Sequence, residues 1–137
     1  MSTKTELLHK ILSLGYPDNE VALSLDEFFH NTPCDDSIGV NIYPDPPAPN
    51  EFYRVFKELQ LSNNVSAIYV RITDTDEPEN WFYSDTIYVI GTLSFDELKN
   101  AIHSLQPDEI LEEWMYRIPV NIDEMNGDQK VYSIWWD

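Results

Sequence analysis

Carboxylates are the most numerous side chains in this sequence that could do chemistry. Twenty-five Asp and Glu residues stand against eight Lys and Arg residues. Several of them are adjacent pairs: Asp26/Glu27, Asp96/Glu97, Asp108/Glu109 and Glu112/Glu113. General acid–base catalysis needs two carboxylates in different environments within one cleft. Pairs at the start of predicted helices are better explained by the helix dipole, so we assign no catalytic residue.

A second group of acids lies in one predicted loop, residues 73–80, next to Trp81. Its members are Asp74, Asp76, Glu77 and Glu79. Such oxygens could bind a hard cation, but the order of acids and glycine in a calcium-binding loop is missing. We therefore favour a charged connection between two strands and predict no bound metal.

The single cysteine, Cys34, lies four residues after His30. Zinc sites need four well-placed ligands, and no second cysteine exists. A catalytic thiolate needs nearby positive charge, whereas Asp35 and Asp36 follow Cys34 directly. No nucleophile elbow, metalloprotease motif or glycine-rich phosphate loop occurs. The sequence therefore predicts no cofactor.

Aromatic residues beside acids offer a better lead. Trp and Tyr next to carboxylates are typical of an interface with a basic partner. The residues we predict for such partner binding are Asp74, Asp76, Glu77, Glu79, Trp81, Asp85, Trp114 and Trp136. Strand alternation sends Trp135 and Trp136 to opposite faces of a sheet, so that one lies in the core and the other is exposed or covered by a loop. The alternative is that these aromatics form the core of the sheet.

Hydrophobic periodicity and capping signals predict the elements that must position these residues. Ser24-Leu25-Asp26-Glu27 and Ser94-Phe95-Asp96-Glu97 both match the capping box that opens a helix. Helical spacing also predicts a helix over residues 5–14 and one capped by Asn50. Strands are predicted over residues 37–43, 65–72, 86–90 and 131–136, and a short turn or helix over 108–113. The strand over 86–90 is apolar on both faces, which indicates a central position.

The order of these elements predicts an α+β fold. From residue 37 onward they read strand, helix, strand, strand, helix, strand, which is the βαββαβ pattern of the ferredoxin-like sandwich with an antiparallel sheet and helices on one face. The first helix and the segment around Phe28 and Phe29 would be an N-terminal helical extension. The 137 residues fit a single domain over 1–137.

A formal net charge of −17 restricts the partners. Nucleic-acid phosphates and anionic lipid surfaces would be repelled, so we expect neither nucleic acid nor a membrane as a partner. The first residues lack the pattern of a signal peptide, and the lone cysteine suits a reducing compartment. We therefore expect a cytoplasmic protein.

Five stretches together resemble a family of small acidic bacterial proteins of unknown function. They are residues 25–29 (LDEFF), 37–41 (SIGVN), 81–89 (WFYSDTIYV), 105–110 (LQPDEI) and 131–137 (VYSIWWD). The resemblance covers the chain from Leu25 to its C-terminus. It implies bacterial cytoplasmic origin and a single domain, and it carries no activity to transfer.

These observations lead to one functional hypothesis and two alternatives. The first is a non-enzymatic acidic protein-binding module, immunity-like or antitoxin-like, for a basic partner. The second is an enzyme or small-ligand-binding protein with a pocket between sheet and helices, using Asp85 or Glu109 with Trp81 or Trp114 as walls. The third is a homo-oligomer formed through an exposed sheet edge or face.

Overall fold

The computed structural model describes residues 3–30, 37–75, 81–123, 125 and 127–137. Within these ranges the chain is an α+β structure with four α-helices on a five-stranded antiparallel sheet. The helices are α1 (Lys4–Ser13), α2 (Leu25–Phe29), α3 (Pro49–Gln60) and α4 (Phe95–Ile102), and a 3₁₀ turn (His103–Leu105) follows α4. The strands are β1 (Ala22–Ser24), β2 (Val65–Arg71), β3 (Thr86–Gly91), β4 (Glu109–Leu111) and β5 (Lys130–Trp135).

The sheet has the strand order β1-β2-β3-β5-β4, and every neighbouring pair is antiparallel. Strand β3 is central and buried along its whole length, as its apolar sequence predicts. Because β5 is antiparallel to both β3 and β4, those two strands run in the same direction. The chain from β3 through α4 to β4 is therefore a split βαβ unit, with β5 inserted between its strands.

The α+β class is confirmed, but the ferredoxin-like βαββαβ topology is wrong. Residues 37–43, predicted as its first strand, form no strand. Gly39 has a φ of +66°, a left-handed conformation that interrupts an extended chain. Ile38 and Ile42 are buried four residues apart, and a Cβ on Gly39 would lie 2.7 Å from Cζ of Phe52. The segment is therefore a turn packed against α3.

Two smaller predictions are also corrected. Helix α3 begins at Pro49 rather than after Asn50, and its N-cap is Ala48, which makes no side-chain capping bond. Proline suits this first position because its φ is preset and its missing N–H is not needed there. Part of the predicted turn or helix over 108–113 is the edge strand β4. Gln106, with a φ of +50°, ends the 3₁₀ turn before it.

Both predicted capping boxes are present. Ser24 and Ser94 accept hydrogen bonds from the backbone N–H groups of Glu27 and Glu97, at 3.1 Å in each case. The two glutamates accept bonds from the serine N–H groups in return. Each box fixes the entry of a helix that packs on the sheet.

The two faces of the sheet are covered differently. The main core joins all four helices to one face, with Phe28, Phe56, Ile87, Leu98 and Ile134 among its buried members. A smaller cluster on the other face contains Tyr88, Ile90 and Val131, with Trp114 and Ile122 packed against it. The second face is therefore covered by the irregular segment of residues 112–123, which we call the covering segment.

No helix within the described ranges combines the length and apolar character needed to span a membrane.

Candidate functional site

The residues predicted for partner binding do not form one site. Trp81 and Trp136 belong to the helix-covered face, whereas Trp114 packs on the other face. Asp74 pairs through its backbone with Tyr83, closing the neck of the predicted acidic loop. The loop positions Asp76, Glu77 and Glu79 lie outside the described residues, as does Cys34.

Trp136 is in the core, so its predicted role as an exposed contact for a partner is wrong. Its side chain is 0% exposed and packs edge-on against Phe52 and Phe56, with ring centroids 5.2 and 6.3 Å away. The indole Nε1 donates a hydrogen bond of 2.8 Å to the Leu105 carbonyl. Trp135 is half-buried. Packing against α3 decides which of the two enters the core.

Trp81 has a structural role in the folded chain. It is half-buried, and its Nε1 donates a hydrogen bond of 2.6 Å to the Phe28 carbonyl at the end of α2. Its ring lies 5.0 Å from that of Phe82. The contact ties the segment before β3 to α2, which leaves this tryptophan little freedom to act as an anchor for a partner.

Asp85 belongs to a cluster around Arg71 that sequence reasoning missed. The Asp85 carboxylate accepts hydrogen bonds from Thr73 and Thr86 at 3.0 and 2.9 Å, and from Arg71 at 3.4 Å. Glu20 binds the same guanidinium at 2.6 and 3.2 Å. All three charged side chains are largely buried, since less than a fifth of each is exposed. Arg71 is the single charged residue of β2, and this was the sequence signal for the cluster.

The charges of the cluster compensate one another. Burial alone would lower the pKa of Arg71, but the hydrogen bond and charge of Glu20, together with the charge of Asp85, raise it. Breaking a buried pair by removing one partner is costly because it leaves an uncompensated charge. The cluster therefore holds Glu20 against the ends of β2 and β3.

Two tyrosines close this cluster from the side of the covering segment. The ring of Tyr116 lies over the Arg71 guanidinium, whose central carbon is 3.6 Å from the ring centroid. Tyr88 packs edge-on against Trp114 at 4.9 Å. Its hydroxyl is buried and finds no hydrogen-bond partner among the described residues. Burial raises the pKa of Tyr88 well above its ordinary value, so the phenol stays protonated.

Side-chain and backbone bonds anchor the covering segment along its length. Ser133 Oγ accepts from the Met115 N–H at 3.0 Å and donates to the Glu113 carbonyl at 2.7 Å. Arg117 donates to the Asp18 carbonyl at 2.8 Å. The Val120 N–H donates to the Glu20 carbonyl at 2.9 Å. The segment is irregular in secondary structure but fixed in place.

Between these anchors the segment exposes apolar side chains. Tyr116, Ile118 and Val120 alternate along the chain and are 36%, 57% and 52% exposed. We call these three residues the apolar strip. The acids Glu113 and Asp123 stand exposed on either side of it in sequence. An apolar strip with acidic flanks has the composition of a protein interface for a basic partner.

Eight Lys and Arg residues can neutralise only a minority of the 25 acids, and one of the eight, the exposed Arg117, lies between Tyr116 and Ile118. Of the eight Lys and Arg residues, five form ion pairs within the described chain, which are Lys10, Arg54, Lys57, Arg71 and Lys130. Each of these cations is held by acids of the same chain. The excess negative charge is therefore carried by carboxylates that lie outside these ion pairs.

The carboxylates and tryptophans proposed as walls of a pocket between sheet and helices do not share a cavity. Asp85 and Trp114 lie toward the second sheet face, and Trp81 packs on the helix-covered face. Glu109 lines a groove beside α4 and β4 that contains none of the other three. Nowhere in the described ranges do three His, Cys, Asp or Glu side chains converge in a way that could hold a metal ion.

The fold and its surfaces define a small α+β protein with one sheet face covered by helices and the other by an anchored segment. The chain belongs to the family described as "Uncharacterized protein YfbO family", whose sequence model matches residues 2–134. It is 33% identical over 135 residues to "Uncharacterized protein YfbO" of Escherichia coli (strain K12), covering 97% of this chain and 95% of that protein. The expected resemblance to a family of unknown function is confirmed. No solved structure matches the chain.

Proposed function

We propose that this protein is a non-enzymatic binding module for a basic partner protein, acting in the manner of an immunity protein or antitoxin. The observation that carries the proposal is the apolar strip of Tyr116, Ile118 and Val120, exposed on an anchored segment between acidic residues. The proposed partner presents Lys and Arg side chains around an apolar contact.

Each part of this surface has a separate physical task. The net charge of −17 speeds diffusional encounter with a cationic surface. Burial of the strip then slows dissociation, because removing apolar surface from water favours the bound state. The anchoring bonds of Arg117 and Val120 lower the entropy lost on binding, since the strip is ordered beforehand.

Site-specific photo-crosslinking in the native host tests this proposal. A photoreactive amino acid replaces Ile118 in one variant and Leu61 in the control variant. Leu61 is 83% exposed and directly follows α3, outside the covering segment. We expect position 118 to capture a basic protein whose yield falls as salt is raised, and position 61 not to capture it.

Three outcomes would contradict the proposal. They are capture of the same proteins from both positions, capture of an acidic protein at 118, and capture of a second copy of this chain at 118. The last outcome would support self-association instead. Sedimentation at several protein concentrations would then measure the oligomeric state directly.

We also propose that the protein acts in the cytoplasm. Its single cysteine, which cannot form a disulfide within the chain, supports this location. Cell fractionation with an antibody against the untagged protein tests it, and recovery from the periplasmic or external fraction would contradict it.

A further inference from the structure

A groove of about 570 Å³ lies between α4 and the edge strand β4. One wall is a face of the helix and its 3₁₀ extension, formed by Phe95, Lys99 and His103. The other wall is formed by residues 106–110. The volume falls within the range of about 300–1,000 Å³ that is typical of small-ligand sites.

Lys99 distinguishes this groove from the rest of the surface. It is exposed and makes no ion pair or hydrogen bond within the described part of the chain, in contrast to the paired cations of α1 and α3. His103 follows four residues later, so the two side chains project from the same helix face. In a protein of net charge −17, the helix wall of the groove thus presents two groups that bind anions.

Apolar surface lies next to these two groups. Phe95 is four residues before Lys99 on the same helix face and is 41% exposed. Pro107 and Ile110 line the groove from the other wall. An aromatic ring or a short aliphatic chain would bury apolar area against all three side chains.

The acids of the opposite wall limit where an anion could lie. The Asp108 carboxylate accepts a hydrogen bond of 2.6 Å from the Asp137 N–H, while Glu109 is exposed. Within the described residues, neither acid comes within 4 Å of a nitrogen of Lys99 or His103 to form an ion pair. The charges of the two walls therefore remain apart, and only the helix wall suits a negative group.

We propose that this groove binds a small molecule that carries one anionic group on an apolar body. The anion contacts Lys99 and His103, and the apolar body lies against Phe95, Pro107 and Ile110. This site is separate from the apolar strip and goes beyond the proposed partner binding.

Titrations followed by amide NMR on the full chain test the proposal with three probes. N-acetylphenylalanine carries a carboxylate, N-acetylphenylalaninamide is its neutral match, and phenyl phosphate carries a phosphoryl group. We expect saturable shifts of amides over residues 95–110 with at least one of the two anions and none with the neutral amide. The anion that binds more tightly distinguishes a carboxylate ligand from a phosphate ligand.

Three substitutions assign the interaction to the groove. Lys99→Met should weaken binding of the anion about two- to five-fold, as expected when one solvent-exposed ion pair is lost. Glu109→Gln should strengthen it about two-fold by removing repulsion. Lys10→Met, on α1, changes the net charge equally outside the groove and should leave affinity unchanged. Equal binding of the neutral probe, absence of saturation, or equal weakening by Lys10→Met would overturn the proposal.

Discussion

The side chain of Asn121 hydrogen-bonds to both backbone groups of Ala22. Its Oδ1 accepts from the Ala22 N–H at 3.1 Å, and its Nδ2 donates to the Ala22 carbonyl at 2.6 Å. The amide thus takes the place of a neighbouring strand at the β1 edge of the sheet. Exposed strand edges pair readily with other chains, so this interaction protects the edge and holds the covering segment to it.

Replacing Asn121 by alanine should destabilise the protein by about 1–3 kcal/mol, because both backbone groups of Ala22 lose their partner. Denaturant unfolding measures the free energy, and amide hydrogen exchange at Ala22 should accelerate in the variant. Asn100→Ala, at an exposed position on α4, is the matched control and should change stability little. Unchanged exchange at Ala22 in the Asn121 variant would count against the role assigned to this side chain.

Trp136→Ala should be among the most destabilising single substitutions, at about 3–5 kcal/mol, because it empties a fully buried site against α3. Trp136→Phe keeps most of the apolar volume but leaves the Leu105 carbonyl without its indole donor, at a cost of about 1–3 kcal/mol. Leu61→Ala, at an exposed position, is the control. We expect the unfolding free energy to be highest for Leu61→Ala, lower for Trp136→Phe and lowest for Trp136→Ala.

Local signals predicted the elements whose structure depends on nearby residues. Both capping boxes formed because a serine and a glutamate three residues apart satisfy each other's backbone groups. The central position of β3 followed from its apolar character on both faces. A capping box is specified by residues adjacent in sequence. A central strand is specified by apolar side chains on both of its faces.

Features that depend on distant residues could not be predicted. The alternation of residues 37–43 is typical of a strand, but Gly39 adopts a left-handed φ and allows the turn to pack on Phe52. Strand β4 is three residues long, too short for a periodic pattern. The Arg71 cluster unites Glu20 with Asp85, residues far apart in sequence, so their pairing is visible only in the folded chain.

Glu27 should make stability depend on pH in the acid range. Burial alone would raise its pKa, but the hydrogen bonds from Lys10 and the Ser24 N–H outweigh burial, and the pKa lies below its ordinary value of 4.5. A depressed pKa contributes stability that is fully present above the unfolded value and is lost as pH falls through the folded value. The stability advantage of the wild type over Glu27→Gln should therefore shrink below about pH 4.5.

Unfolding free energies of both proteins, measured from neutral to acid pH, check this dependence. Glu58→Gln removes an equal charge at an exposed position whose carboxylate lies 3.9 Å from Arg54, and it controls for general charge effects. If the stability advantage of the wild type over Glu27→Gln grew as the pH fell, the predicted sign of the pH dependence would be wrong.

Binding kinetics should separate the tasks of the apolar strip and of its acidic flanks. With the partner captured at position 118, Ile118→Ser and Val120→Ser should each raise the dissociation rate about ten-fold, because truncating an apolar side chain within an interface mainly affects dissociation. Glu113→Gln and Asp123→Asn should mainly slow association and reduce its dependence on salt. All four positions are exposed, so the free energy of unfolding should change by no more than about 0.5 kcal/mol.

An association rate of the wild type that does not respond to salt would contradict recognition of a basic partner, since steering by a charge of −17 must weaken as ions screen it.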